Sequence, residues 1–432
     1  MLFHSLNHQS KAVSFKEATI LGQAPDKGLY FPERIPKLSA SFIRDIEKYS
    51  NEEIAMEVIR PYVSDDLSED ELLRIVTETV NFPIPLVSIT EGISSLELFH
   101  GPTLAFKDIG ARFMSRCLGA FVKDRAEKVT VLVATSGDTG GAVANGFYDV
   151  PGVEVVILYP SGKVSPVQEK QLTAMGKNIK ALEVEGSFDD CQRMVKQAFT
   201  DVELNKKLFL TSANSINVAR WLPQQFYYFF AWKQWNDKGN PPVICVPSGN
   251  FGNICAALLA HISGLPAKHF IAACNANDTI PRYLETALYQ PSTAVATLSN
   301  AMDVAEPSNF IRILEIFQQQ LPALKNRMSS TSITDEQTLD TIRKTYSKRH
   351  YLLDPHGAVG FISLEQYLDK HPHDNGYIVE TAHPVKFPEA IRLATGMEVP
   401  IPDSLKSLLQ QPKKSELIPA SYPVLAEILS NI

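Results

Sequence analysis

Up to Pro85 the apolar positions of the chain recur at helical spacing, and beyond it they gather into short β-branched runs. In the first part, SFIRDIEKYS (Ser41 to Ser50) and SEDELLRIVTETV (Ser68 to Val80) predict amphipathic helices, the second opened by Ser68 and Glu71 at capping-box spacing. Turn signals in APDKGLYFPERIP precede them. After Pro85 each run is followed by a helical stretch: KVTVLVAT then GGAVANGFYDV, VEVVILYP then SPVQEKQLTAMG, PPVICVPS then NICAALLAHISG. That alternation predicts parallel sheets covered on both faces, an α/β protein with a mostly helical N-terminal extension. Several strands run straight into glycine, serine and asparagine, at the carboxyl ends where open α/β sheets bind ligands.

Composition narrows the class. With 432 residues there is room for two or three domains, and 44% hydrophobic with 21% charged residues suits a soluble globular chain. A net charge of -7 without any basic run excludes a nucleic-acid footprint. ICAALLAHISGL, from Ile254, is too short and interrupted to cross a bilayer, and the opening MLFHSLNHQSKAVSF lacks the cationic end and apolar core of a secretory signal. A cytoplasmic protein with no membrane partner is expected. The 5 cysteines are odd in number and none has CxxC spacing, which predicts buried reduced thiols rather than disulfides or zinc. His371 and His373 have no carboxylate or cysteine cluster beside them, so a solvated loop is expected there and no metal. PKKSE, near the C-terminus, is expected to be a solvated loop.

Candidate chemistry lies in five segments. In HGPTLAFKDIGARF, Lys107 stands where a Gly/Pro-broken stretch becomes a helix, with Ala105, Phe106 and Ile109 around it and Gly101, Pro102 and Thr103 as the turn and cap. A lysine held there and desolvated is a carbonyl nucleophile. VPSGNFGN runs a strand into Gly249, Asn250, Phe251, Gly252 and Asn253 and then a helix. It predicts an anion cup of backbone amides and matches neither the Walker nor the dinucleotide motif. ATSGDTGGA offers hydroxyls and bare amides through Ser136, Gly137, Asp138 and Thr139, suited to a carboxylate or phosphate. SANSINVAR brings Asn214, Ser215, Asn217 and Arg220 close together, a set that holds oxyanions. In YIVETAHP, Thr381 ends a buried strand. Lysine, phosphate cup and hydroxyls together suit pyridoxal phosphate.

These segments, with GLYFPE, LSNAMDV and DPHGAVG in the same order, resemble the threonine synthase family in its form with a long N-terminal extension. The resemblance covers nearly the whole chain, and HGPTLAFKD with NSINVAR is its most specific part. It implies a fold-type-II pyridoxal phosphate enzyme, similar to the tryptophan synthase β chain, with two parallel-sheet α/β domains. Residues 1–90 would form the extension, 91–400 the catalytic region with a smaller subdomain around 120–230, and 401–432 a C-terminal tail. The reaction implied converts O-phospho-L-homoserine and water into L-threonine and phosphate. Lys107 would form the Schiff base with pyridoxal 5'-phosphate and act as acid and base. Gly249, Asn250, Phe251, Gly252 and Asn253 would enclose the cofactor phosphate, Thr381 would face the ring nitrogen, and Asp138 would border the ring oxygen. Ser136, Gly137 and Thr139 would receive the substrate carboxylate, and Asn214, Ser215 and Arg220 the substrate phosphate.

The rival inside the fold is a phospho-lyase or hydroxyamino-acid dehydratase giving 2-oxobutanoate, which shares the lysine and cup but not NSINVAR with SGDTGGA. A non-catalytic binding protein of the same fold would have no need of Lys107. Asn300, Asp303 and His356 match the family pattern without a role, and the choice between monomer and homodimer stays open.

Overall fold

The computed structural model describes residues 1–123, 125 and 127–432. In the extension, β1 (Phe3–Ser5) pairs antiparallel with β2 (Tyr30–Pro32). Helices Asn51–Val63 and Glu69–Thr79 follow, each with an N-cap serine accepting the N3 amide. The predicted helix over SFIRDIEKYS is shorter, Ala40–Arg44, and gives way to a 3-10 turn at Ile46–Lys48. At Ser68 only half of the capping box forms: the hydroxyl accepts Glu71 N–H at 3.4 Å, while the Glu71 carboxylate turns to Lys123 at 3.6 Å.

Next come β3 (Leu86–Ser88) and β4 (Ile93–Glu97), then β5 (Val129–Ala134), β6 (Val153–Pro160), β7 (Ile179–Glu185) and β8 (Phe209–Thr211). The chain continues with β9 (Val243–Pro247), β10 (His269–Cys274), β11 (Met328–Ser332), β12 (Gly376–Glu380) and β13 (Ser415–Pro419). The larger sheet has the order β11-β10-β9-β12-β4-β3 and is parallel except for β3. The smaller has the order β13-β7-β6-β5-β8 and is parallel throughout. β5 is buried along its whole length, which is why its sequence is an unbroken apolar run rather than an alternation.

Two expected boundaries and one expected loop change. Leu86–Ser88 belongs to the larger sheet through its pairing with β4, so the extension ends earlier than residue 90. The expected tail is part of the smaller domain, because β7 has a free edge that Ser415–Pro419 fills in parallel register. For the same reason PKKSE is no loose loop: Lys413 bridges Glu169 at 2.7 Å and Glu183 at 2.6 Å, and Ser415 starts the strand.

The extension also shares the main core. Phe15 packs against Phe113 and Phe121 at centroid distances of 6.4 and 6.0 Å, on the helix Lys107–Val122. That apolar contact fixes the helix whose first residue is the candidate nucleophile. All five cysteines are free and buried, and His371 and His373 are exposed. No helix is long and apolar enough to cross a membrane among the described residues.

Candidate active site

β9 ends at Pro247 and the helix Gly252–Ser263 starts five residues later. Between them Phe251 adopts a left-handed conformation, φ 60°, which turns the backbone amides inward. The N–H groups of Gly249 to Asn253 donate to no protein acceptor among the described residues, although most of this loop is buried. Buried amides without a partner are costly unless an anion occupies the cup. The side chains close its outer wall. Asn250 Nδ2 donates to Ser215 Oγ at 3.1 Å, its Oδ1 accepts Ser308 N–H at 2.6 Å, and Asn253 Nδ2 donates to the Pro247 carbonyl at 2.8 Å. A side chain at Gly249 has no room: a Cβ there would lie 2.6 Å from Met302 Cα.

Lys107 opens its helix at the rim of the same cavity. It has no capping side chain beside it, and the cap expected from Thr103 is absent. Thr103 instead gives its N–H and hydroxyl to Asp108, at 2.9 and 2.5 Å, locking the turn from within. Phe106 N–H donates to the Thr381 carbonyl at 2.9 Å, so the end of β12 holds the lysine turn in place. Burial pulls the Lys107 amine below its ordinary value, and the charges of Lys386 and Arg220 push the same way against the attraction of Asp138. The helix can approach the next segment closely because of Gly110, where a Cβ would lie 2.6 Å from the Arg220 carbonyl.

Arg220 lies on the short helix Val218–Trp221 and is 4% exposed. One Nη donates to the Ala213 carbonyl, but Nε has no partner. Burial lowers the guanidinium to about 10, which leaves it charged at neutral pH. Asn214 lines the cavity, and so does Ser215, whose hydroxyl also accepts from Asn309 Nδ2 at 3.0 Å and thereby ties this segment to the cup. Asn217 faces away, capping the helix and donating to the Thr19 carbonyl at 2.9 Å. Arg312 braces the segment from outside. Fully buried and 4.3 Å over the Trp221 ring, it donates to the carbonyls of Tyr30, Ser215 and Ile216. The extension is thus bonded directly to the oxyanion segment.

After β5, Ser136 and Thr139 line the cavity, with the Thr135 hydroxyl accepting the amides of Gly137 and Gly140 at 2.9 Å each. Gly137 and Asp138 stand behind that wall. The Asp138 carboxylate points to Lys386 at 2.8 Å and Gln168 at 2.9 Å.

Lys107, Ser136, Thr139, Asn214, Ser215, Arg220, Gly249 to Asn253 and Thr381 therefore converge on one cavity of about 180 Å³, joined by Asn300, Asp303 and His356. A second cavity of about 200 Å³, beside Lys128, Glu154 and Phe209, lies at the amino ends of β5 and β8. Neither a free amide row nor a nucleophile converges on it, so the first cavity is the candidate site.

Three family descriptions match the chain: "Pyridoxal-phosphate dependent enzyme" over residues 94–381, "Threonine synthase N terminus" over 2–80 and "Threonine synthase, C-terminal" over 357–428. Threonine synthase of Serratia marcescens is 42% identical over 433 residues, covering 100% of both chains. The chain belongs to the threonine synthase family. Among solved structures, threonine synthase from Escherichia coli superposes with TM-score 0.92 at 41% identity, covering 100% of each chain. The pyridoxal-phosphate-bound threonine synthase from Brucella melitensis gives 0.94 at 34% identity, covering 100% of this chain and 99% of the other.

Pyridoxal phosphate is the cofactor of this family, and the residues present fit it. Five free amides suit its phosphate, and Lys107 with a depressed amine suits its aldehyde. The threonine synthase resemblance left Lys386, Arg312, Gln168 and Asp354 unnamed. Of these Asp354 opens DPHGAVG, a segment already singled out, and Lys386 lies two residues beyond YIVETAHP.

Proposed function

We propose that the chain converts O-phospho-L-homoserine and water into L-threonine and phosphate. One observation carries the choice of a phosphorylated substrate: two sets of anion-binding groups line the cavity, the free amides of Gly249 to Asn253 and the Arg220 side chain with Asn214 and Ser215. A hydroxyamino-acid dehydratase brings one phosphate, that of its cofactor, and leaves the second set without a use.

Pyridoxal phosphate, when bound, supplies an electron sink that makes the substrate's carbon-bound hydrogens acidic. Lys107 moves the proton at the substrate Cα, its neutral form favoured by burial. The amides of the 249–253 loop would hold the cofactor phosphate, and Thr381 would offer the ring nitrogen an uncharged hydroxyl partner. Ser136 and Thr139, which line the cavity, receive the substrate carboxylate, while Gly137 stands behind them with its amide held by the Thr135 hydroxyl. Asn214, Ser215 and Arg220 hold the substrate phosphate, and Arg220 stabilises the charge that develops as it leaves Cγ. Loss of a proton from Cβ supplies the electron pair that expels the phosphate, Cγ takes a proton to become the methyl group, and water then adds at Cβ as a proton returns to Cα. Asp138 acts from behind the wall as a fixed charge near Lys107 rather than as a ligand, since its carboxylate is occupied by Lys386 and Gln168.

The deciding experiment follows phosphate, threonine and 2-oxobutanoate while wild type and Lys107→Ala act on O-phosphohomoserine. Equal amounts of phosphate and threonine are expected from wild type and neither from the variant. Phosphate accompanied by 2-oxobutanoate instead of threonine would make the chain a phospho-lyase.

A further inference from the structure

His356 is a buried histidine, 2% exposed, that faces the cavity and has no part in the reaction just described. Its Nδ1 lies 2.5 Å from Asp354 Oδ1, a carboxylate that can only accept, so the ring proton sits on Nδ1. Nε2 is left as an acceptor, and it takes the Ala301 N–H at 3.2 Å. Asp354 is itself fixed: its carboxylate accepts the amides of His356 at 2.8 Å and Gly357 at 3.3 Å, and its own N–H donates to Glu380 Oε1 at 2.8 Å. The turn that receives this support is the wall of the cup, since a Cβ at Gly249 would meet Met302 Cα at 2.6 Å and the Ala301 carbonyl at 3.0 Å. The far end of the turn is held separately, by Asp303 accepting from Thr297 Oγ1 at 2.7 Å and Asn275 Nδ2 at 2.9 Å.

We infer that His356, oriented by Asp354, is a positioning residue for the cofactor phosphate: it holds the Asn300–Met302 turn against Gly249 and so sets where the cup amides point. This rests on the reading of Gly249 to Asn253 as the phosphate cup.

The test compares how tightly the full-length chain binds pyridoxal phosphate and pyridoxal, which lacks the phosphate, by the absorbance of the lysine-bound cofactor. In wild type the phosphate should confer a large preference. In His356→Leu that preference should fall about tenfold, the loss of one buried hydrogen bond to the wall. His356→Gln, whose side-chain oxygen can replace Nε2 as acceptor, should restore it. His356→Ala carries the same expectation as leucine and serves if leucine prevents folding. A leucine or alanine variant that weakens both ligands equally, or neither, overturns the proposal, because a merely structural histidine would not distinguish them. A wild type without preference for the phosphorylated form would instead remove the cup reading itself, and the proposal with it.

Discussion

Lys386 Nζ lies 2.8 Å from Asp138 Oδ1, with the lysine fully buried and the aspartate 6% exposed. The pair joins the loop after β12 to the loop after β5, and therefore one sheet to the other. Lys386 also donates to the Thr103 carbonyl at 2.7 Å, in the turn that precedes Lys107. Burial alone would raise the Asp138 carboxyl, but the charges of Lys386 and Lys107 and the hydrogen bonds from Lys386 and Gln168 hold it below the usual carboxylate range.

Removing one partner of such a pair leaves a buried charge uncompensated. Lys386→Met is expected to destabilise the protein by about 3–5 kcal/mol, and Lys386→Met with Asp138→Asn to recover most of that loss. Urea unfolding of the four proteins in the cycle measures it. Additive losses would mean the two residues do not act as a pair.

Arg220→Lys keeps a positive charge but loses the planar fork, which lets one Nη hold the Ala213 carbonyl while the side chain lines the cavity. Steady-state kinetics should show kcat/KM lower by roughly tenfold to a hundredfold, with weaker product inhibition by phosphate. Unchanged phosphate inhibition would take Arg220 out of the substrate phosphate site.

At Gly249 the added methyl of alanine would press on Met302 Cα, 2.6 Å away. Backbone cannot yield as a flexible side chain can, so Gly249→Ala should cost about 1–3 kcal/mol and widen the cup. The expected sign is a smaller fraction of cofactor retained through gel filtration. Full retention would show that the turn can move aside.

Two histidines set an acid-side slope in stability. Burial lowers His383 and His269 from 6.5 to about 4, with His100 pressing on the first and His371 on the second. Between those values the unfolded chain binds protons that the folded chain does not, so stability falls as pH drops from 6.5 towards 4. Each group contributes at most about 1.4 kcal/mol per pH unit. The fold uses the neutral form of His383, whose Nδ1 accepts Val385 N–H at 3.1 Å in the turn carrying Lys386. Urea unfolding between pH 4 and 6.5 should give a shallower slope for His383→Gln than for wild type. Parallel slopes would mean the ring is protonated in the native state.

What could be read from the sequence was local. The cup, the lysine turn and the SGDTG loop are runs of consecutive residues at strand ends, where glycine, hydroxyls and amides announce themselves by spacing alone. Lys386 and Arg312 carry no such signal, because their partners are distant: Arg312 reaches the carbonyl of Tyr30 across 282 positions. Asp138 sits inside a legible motif, yet its orientation depends on Lys386, which lies in another sheet's loop. The strand Ser415–Pro419 has too little alternation to be read as one, and the open edge of β7 makes it so.

The order of the strands has a consequence for synthesis. β12 lies between β9 and β4, and β13 closes the edge of the smaller sheet, yet both leave the ribosome after the strands they pair with. A nascent chain stopped short of Gly376 would hold two unpaired edges where β12 belongs, and one stopped before Ser415 would leave β7 bare. Thr381 and Lys386 arrive with those last strands, so a ribosome that has already delivered Lys107 and the anion cup still carries an enzyme without a working site.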